Sequence, residues 1–262
     1  MRPLSGSRAE SNFSSVISKI AASIATMTLM FASSVLADGT GGWRELFNGE
    51  DFTGWQVSEA AAESWSVIDG VIDCDPRSVL PGTKHVWTED AFGDFVLYVE
   101  WRFTDAPTTE RRPLIGPDGN NKVDDEGRTK TVEIENADSG IFLRGQPKAQ
   151  VNIWNWPVGS GEVWGYRTDS NMPPEVRAGV TPRVRADNPV GEWNTYVISM
   201  SGDRLSVILN GQLVIDDAQL PGVAASGPLG LQYHGGYDHE RNEYRPASSL
   251  VQFRNLYIKE LD

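Results

Sequence analysis

Cysteine and histidine are scarce in this chain of 262 residues, and long stretches of helical periodicity are missing. The sequence contains one cysteine and three histidines. Cys74 therefore cannot form an internal disulfide, and the fold must be held by its hydrophobic core. Cys74 follows Ile72 and Asp73 in a strand-like run, which predicts a small packed side chain. The missing helical periodicity excludes a helical bundle.

Basic residues are outnumbered by acidic ones. The 23 Lys and Arg residues stand against 36 Asp and Glu residues, which gives a formal net charge of −13. A strongly acidic protein is repelled by nucleic acid and by anionic lipid surfaces. We therefore expect no nucleic acid partner, and solubility is the simplest explanation of the charge. The sequence leaves the oligomeric state open.

The amino-terminal residues have the pattern of a secretory signal peptide. Three basic residues precede or begin an apolar run over residues 20–31, and Val35-Leu36-Ala37 supplies the residues that a signal peptidase reads. We expect cleavage before Asp38, which removes residues 1–37. The net charge then becomes −15, because three basic residues and one acidic residue are lost. An uncleaved anchor is the alternative, but the run is short for a spanning helix. The predicted location is the periplasm or the exterior of a bacterial cell, without membrane attachment.

Apolar and polar residues alternate with period two in many segments, as in half-buried strands. The clearest such segment covers residues 95–103. Asp69-Gly70 and Asn210-Gly211, each between apolar runs, predict hairpin turns. These signals predict an all-β fold, a two-sheet antiparallel jelly-roll sandwich. We expect residues 38–262 to form one such domain, with a long insertion loop at about 104–137 that is rich in proline, glycine and charge.

The polar positions of these strands predict a ligand-binding face. Each lies opposite the apolar residues of its own strand, so a regular strand turns it away from the core. In a curved sandwich one such outer face is concave, which is where ligands usually bind. The residues expected to converge there are Tyr98, Glu100, Arg102, Arg144, Gln150, Asn152, Trp154 and His234. Gln232 shares the face of His234, because the two are two positions apart.

Several short motifs follow one another in a set order and spacing over about residues 43–261. The motifs are Leu46-Phe47-Asn48-Gly49 with Gly54-Trp55, Glu100-Trp101-Arg102, Asp138-Ser139-Gly140-Ile141-Phe142-Leu143-Arg144, Gly191-Glu192-Trp193-Asn194, Leu209-Asn210-Gly211, Gly230-Leu231-Gln232-Tyr233-His234 and Phe253-Arg254-Asn255-Leu256. No single motif is specific, but their succession is. Together they resemble the 3-keto-disaccharide hydrolase family.

The resemblance implies a concanavalin A-like jelly roll of the lectin and glucanase type, which agrees with the strand pattern. It also implies a reaction on glycosides oxidised at C3. A base removes the proton at C2, an enolate forms, the group at C1 leaves, and water then adds to the unsaturated sugar. Such chemistry needs a base, a donor for the enolate oxygen and an acid for the leaving group.

The chain departs from the commoner family pattern at two places. Asp138 stands where relatives often have Asn, and Gln150-Val151-Asn152 stands where they often have Glu-x-Gln. The second change removes a carboxylate from the expected ligand face. Together with the 104–137 insertion, these changes suggest a subgroup with an altered substrate or mechanism.

Three residues are our candidates for catalysis. His234 is the expected base, Arg144 the expected enolate donor, and Glu100 the next candidate base. The alternatives are a structural histidine, pairing of Arg144 with Asp138 or Glu100, and a cross-strand ion pair between Glu100 and Arg102.

A second set of residues is expected to bind substrate: Tyr98, Arg102, Asp138, Gln150, Asn152, Trp154 and Gln232. Asp138 is alternatively a turn residue. Trp154 is either a platform for a sugar ring or part of the core.

Three classes of function remain open for this carbohydrate ligand. The chain is a 3-keto-glycoside hydrolase or lyase, an ordinary jelly-roll glycosidase, or a non-catalytic carbohydrate-binding module. An ordinary glycosidase needs two carboxylates about 5–10 Å apart, and the sequence lacks a tight paired-acid strand motif such as Glu-x-Asp-x-x-Glu. No cofactor is certain, and a divalent metal is left open.

Overall fold

The computed structural model describes residues 41–261; the expected signal peptide, residues 1–37, and its cleavage before Asp38 lie outside them. The described residues form seventeen β-strands. In chain order the strands are β1 (Trp43–Glu45), β2 (Trp55–Gln56), β3 (Trp65–Ile68), β4 (Val71–Cys74), β5 (Val86–Thr88), β6 (Phe95–Phe103), β7 (Thr108–Pro113), β8 (Thr131–Asn136), β9 (Asp138–Leu143), β10 (Gln146–Trp154), β11 (Asn194–Ser201), β12 (Arg204–Leu209), β13 (Gln212–Gln219), β14 (Gly230–Leu231), β15 (Tyr237–Asp238), β16 (Glu243–Tyr244) and β17 (Val251–Glu260).

Helices are short. They are α1 (Glu59–Ala62), α2 (Trp164–Arg167) and α3 (Pro174–Gly179). Ser58 begins α1, since its side chain accepts a hydrogen bond from the Ala61 N–H. Across residues 41–261, none of the helices is long and apolar enough to cross a membrane.

Two antiparallel sheets make up the fold. The first has eight strands in the order β13-β12-β11-β6-β17-β4-β3, with β1 also paired to β17. The second has five strands in the order β10-β9-β14-β5-β2. β7 with β8, and β15 with β16, form two separate hairpins. The expected all-β, two-sheet antiparallel jelly-roll sandwich is confirmed.

The two sheets share one hydrophobic core. Leu97, Val99 and Trp101 of β6 point inward and pack in the same cluster as Ile141 of β9 and Val151 of β10. All of these side chains are almost completely buried. Burial of apolar surface of this kind, at about 25 cal/mol per Å², is the main favourable contribution to folding. Cys74 is buried in the same cluster, as the sequence predicted.

Both predicted hairpin turns are present. Asp69-Gly70 joins β3 to β4, and Asn210-Gly211 joins β12 to β13. All four residues have a positive φ, between 49° and 79°. That geometry matches the right-handed twist of the flanking strands and favours Asn, Asp and Gly.

The expected loop at about 104–137 is wrong in one respect, because it contains the hairpin of β7 and β8. These strands pair in register from Thr108 with Asn136 to Pro113 with Thr131. Most of their side chains are exposed or half-buried. The hairpin therefore does not need the clean apolar alternation by which a core strand is recognised.

Arg144, the expected enolate donor, has a structural position instead. Its side chain is 1% exposed and lies at the turn between β9 and β10, where its φ is +50°. The guanidinium donates to the carbonyl oxygens of Gly93, Gly202 and Ala224 and to the Asp94 carboxylate, at 2.6 to 2.9 Å. These hydrogen bonds occupy the guanidinium, so Arg144 connects three loops and is not available to a ligand.

Replacement of Arg144 should therefore reduce stability. We expect Arg144→Ala to lower the free energy of unfolding by about 3 kcal/mol, because the hydrogen bonds of a buried guanidinium to three loop carbonyls and to Asp94 are lost. Urea denaturation followed by tryptophan fluorescence measures this. Arg183→Ala is the control: its ion pair with Asp216 is exposed and its loss should cost about 0.5 kcal/mol or less. Equal stability losses in the two variants would contradict the assignment.

Candidate functional site

The outer face of the second sheet carries three cross-strand rows of side chains. The rows follow from period-two alternation and from the register of β9 with β10 and β14. The first row is Trp154 and Asp138, the second is Asn152, Gly140 and Gln232, and the third is Gln150, Phe142, Gly230 and Trp87.

A cavity of 650 Å³ opens on this face. Six of the residues predicted to bind or act on a ligand line it: Asp138, Gln150, Asn152, Trp154, Gln232 and His234. Gln232 and His234, which were expected on one face, both line the cavity. A volume of this size suits a small ligand such as one or two sugar rings.

Besides Arg144, three predicted residues lie elsewhere. Tyr98, Glu100 and Arg102 belong to β6, which is in the first sheet, and they point away from its core-facing side. The outer faces of two packed sheets point in opposite directions, so these residues cannot join the cavity. The expected convergence on one concave face is wrong for them.

The contacts of these residues are structural. The Tyr98 hydroxyl and Arg254 Nε both donate to the Glu100 carboxylate, at 2.9 and 2.7 Å. Arg102 Nε donates to Gln252, and its guanidinium lies over the Trp193 ring. The cross-strand ion pair considered as the alternative for Glu100 is present, with Arg254 in place of Arg102.

Asp138 and His234 form the chemical centre of the cavity. His234 Nε2 lies 4.0 Å from Asp138 Oδ2. His234 Nδ1 donates to the Ala247 carbonyl at 2.7 Å, so the proton of the neutral ring is on Nδ1 and the lone pair is on Nε2. Ser249 joins the backbones of the two residues. Its hydroxyl accepts a hydrogen bond from the backbone N–H of His234 and donates one to the backbone carbonyl of Asp138. The arrangement can accept a proton at His234 and stabilise the resulting charge.

Burial changes the acidity of Asp138. Removal from water disfavours the carboxylate and raises the pKa of Asp138 to about 6, while His234 and Arg112 act in the opposite direction and by less. The carboxyl can therefore exchange a proton near neutral pH. The alternative of a turn residue does not hold, because Asp138 is the first residue of β9.

Trp154 is not available as a platform for a sugar ring. It is 2% exposed, and Trp156 stacks on it with ring centres 4.0 Å apart and planes within 5°. The Arg112 guanidinium in turn lies 3.9 Å above Trp156. Trp154 is therefore a buried residue of the outer face: it offers no open platform, and it does not belong to the core cluster either. Trp164 of α2 is different, because it lines the cavity and is 49% exposed.

The insertion contributes Arg112 to the cavity. Arg112 lies on β7 and pairs with Glu110 at 2.7 Å. The far part of the insertion is attached to the α2–α3 region: Arg177 donates to Asn120, and Arg167 donates to the Gly119 carbonyl. The far end of the hairpin is therefore held by α2 and α3, and Arg112 on β7 forms part of the cavity wall.

Sequence reasoning missed several lining residues, among them His85, Arg112 and Trp164. His85 stands directly before β5, a strand too short to show alternation. Arg112 is in the segment taken for a loop, and Trp164 begins a helix of one turn. The only signal for Arg112 was the charged composition of the insertion.

Four polar atoms in the cavity wall are buried and have no hydrogen-bond partner among the described residues. They are Arg112 Nε, Gln150 Nε2, Asn152 Nδ2 and Gln232 Oε1. An unpaired buried polar atom costs about 1–3 kcal/mol. Gly140 contributes to this arrangement, because a Cβ there would collide with Gln150 Nε2. The wall thus offers three donors and one acceptor, which suits the hydroxyls and carbonyls of a sugar.

Metal ligands do not cluster in the described part of the chain. Within residues 41–261 there is no group of three or more His, Cys, Asp or Glu side chains that could hold a metal ion.

Comparison with known proteins identifies the family. The profile of the family described as the 3-keto-alpha-glucoside-1,2-lyase-like domain matches residues 42–259. The chain belongs to this family. Membership makes it a carbohydrate-active protein and confirms the resemblance stated from the sequence. No curated protein sequence matches the chain.

Two solved structures share the fold. Both are crystal structures of candidate glycosyl hydrolases from Parabacteroides distasonis ATCC 8503. The first is 18% identical, with a TM-score of 0.51, and the match covers 87% of this chain and 99% of that one. The second is 21% identical, with a TM-score of 0.51, and covers 84% of each chain.

The raised pKa of Asp138 predicts a pH-dependent effect on stability. The folded-state pKa of about 6 lies above the unfolded value of about 3.9, so the folded protein binds the proton more tightly. The stabilisation that the protonated Asp138 carboxyl provides is therefore lost as the pH rises from 4 to 7. Over that range the free energy of unfolding of Asp138→Asn should rise, relative to that of the wild type, by up to about 3 kcal/mol.

Unfolding free energies at several pH values measure this gain. Asp69→Asn is the matched control, because Asp69 is exposed and its turn accepts either residue. A stability difference between Asp138→Asn and wild type that does not change with pH would refute the prediction.

Proposed function

We propose that this chain cleaves glycosides oxidised at C3, by elimination followed by hydration. The observation that carries the proposal is the fixed Nε2 lone pair of His234 beside the buried Asp138 carboxyl, in a cavity lined with unpaired sugar-binding groups. Family membership supports the substrate class. We further propose that residues 38–262 are the exported part, a single domain that acts in the periplasm or outside the cell.

His234 is the base in this proposal. Its Nε2 takes the C2 proton, and the electrons of the C–H bond move into an enolate at C3. Protonation of His234 breaks no hydrogen bond, because Nδ1 keeps its bond to Ala247 and Nε2 faces Asp138. The ketone lowers the barrier to this step only if the enolate oxygen finds a donor.

The remaining steps use groups of the same cavity. The enolate collapses, the C1–O bond breaks, and the departing oxygen takes a proton from His234 or from protonated Asp138. Water then adds at C1 and a proton returns to C2. Arg112 takes the place of Arg144 as a cation near the site, and its Nε has no hydrogen-bond partner among residues 41–261. The exposed face of Trp164 can hold the sugar ring.

The two other classes of function are less well supported. Ordinary glycosidases use a pair of carboxylates that flank the scissile bond. Asp138 is the single carboxylate among the residues that line this cavity. A non-catalytic binding module gains nothing from a buried carboxyl with a raised pKa next to a histidine.

Turnover is tested with 3-keto-glucosides and their unoxidised parents, incubated with protein that starts at residue 38. We expect cleavage of the oxidised compounds only. His234→Asn should lower kcat by about 10²–10⁴-fold, because the Asn amide can still donate to Ala247 but offers no base. His239→Asn is the control, since His239 does not line this cavity. Wild-type rates with His234→Asn would show that another group is the base.

Trp164 should affect binding more than chemistry. Trp164→Ala is expected to raise KM about tenfold at nearly constant kcat, because stacking stabilises the ground state and the transition state alike. Trp193→Ala is the control and should leave KM unchanged, because Trp193 packs against Arg102 and Arg254 of the first sheet. Steady-state kinetics on a 3-keto-glucoside separates the two constants. A fall in kcat without a change in KM would argue against a platform role.

A further inference from the structure

His85 is a second histidine in the cavity wall. It directly precedes β5, where Val86 points into the core, so His85 and Trp87 point outward. The His85 ring meets the Phe142 ring edge-on, with centres 4.9 Å apart. The Tyr233 backbone N–H donates to His85 Nδ1 at 3.1 Å. The ring is therefore held by the backbone that follows β14 on one side and by the Phe142 ring on the other.

Backbone groups give the two cavity histidines opposite tautomers. An N–H can only donate, so His85 Nδ1 must carry the lone pair and the proton of the neutral ring lies on Nε2. A carbonyl can only accept, so His234 Nδ1 carries the proton and its lone pair is on Nε2. Of the two neutral rings, His234 presents an acceptor at Nε2 and His85 presents a donor.

We propose that His85 is a catalytic residue that donates a hydrogen bond from Nε2, as a neutral imidazole, to the C3 oxygen of the substrate. The inference rests on the proposed function and names the donor that the enolate needs. Within residues 41–261, Nε2 of His85 has no hydrogen-bond partner, and the ring lines the cavity that holds Asp138 and His234.

The protons and electrons of the elimination balance without any transfer of the His85 proton. When His234 Nε2 takes the proton from C2, the negative charge forms on the C3 oxygen. The Nε2–H of His85 stabilises that charge and stays bound to nitrogen. The electron pair then returns as the ketone re-forms, the C1–O bond breaks, and the proton held by His234 or Asp138 passes to the leaving oxygen.

The surroundings keep His85 neutral. Burial lowers the pKa of His85, and the neighbouring His234 lowers it further. Protonation would also place an Nδ1–H against the Tyr233 N–H and break that hydrogen bond. A neutral imidazole that polarises a carbonyl is an established way to stabilise an enolate.

Two matched substitutions separate the donor role from packing. His85→Asn can keep the acceptor for the Tyr233 N–H but places no donor at the Nε2 position. His85→Gln can place an amide N–H near that position. On a 3-keto-glucoside we expect kcat to fall on the order of 10²-fold in His85→Asn and about tenfold or less in His85→Gln, with KM little changed. Unfolding midpoints of the two variants control for stability.

Nitrogen NMR on the wild type tests the tautomers independently of turnover. With three histidines in the chain, single substitutions assign each ring. At pH 7 we expect the Nε2–H form for His85, and the neutral ring of His234 should carry its proton on Nδ1. A protonated or Nδ1–H ring at His85 would overturn the proposal.

The outcomes distinguish the inference from the proposed function. Wild-type protein that cleaves no 3-keto-glycoside overturns the proposed function, and the role of His85 with it. Wild-type activity that is retained in full by His85→Asn overturns only the role of His85. A loss of kcat in His85→Asn that His85→Gln largely restores supports both.

Discussion

The register of β9 between β10 and β14 is the constraint on which the site depends. It places Trp154 opposite Asp138 and Asn152 opposite Gly140, and it brings Gln232 beside Gly140. A shift of one residue would turn the polar set into the core and Ile141 with Val151 to solvent. The hydrophobic core thus holds the cavity in place, because the apolar residues that prefer burial alternate with those that meet the ligand.

The sequence predicts which residues share a face of one strand, but not which sheet a strand joins. Alternation correctly turned Gln150, Asn152 and His234 outward, and the same rule turned Glu100 outward. β6 then pairs with β11 and β17 in the other sheet, so Glu100 faces the opposite side of the sandwich. Long-range pairing decides this, and a period of two within one strand contains no information about it. The fold class needs only the alternation and the turns, which explains why it was predicted correctly.

Two residues show how local context overrides pattern. Arg144 was expected on the ligand face, yet it follows the last residue of β9 and has a positive φ, so alternation no longer determines its direction. Its guanidinium is buried among carbonyl groups of loops that are far apart in sequence. Arg112 lies on a hairpin without a core-facing side, which leaves little alternation to detect. The sequence thus predicted Arg144 at the site and missed Arg112, because a period of two is uninformative at strand ends and in insertions.

Charge in the cavity is arranged by burial and by backbone hydrogen bonds, more than by the number of charged residues. The chain is strongly acidic, but the cavity holds a single carboxylate, and burial moves the pKa of Asp138 toward neutrality. The two histidines there are the same residue type, but a different backbone group meets Nδ1 of each ring. An acceptor at Ala247 makes one ring a base, and a donor at Tyr233 makes the other a hydrogen-bond donor. The division of roles in this site therefore originates in main-chain geometry, which explains why the residue types alone did not reveal it.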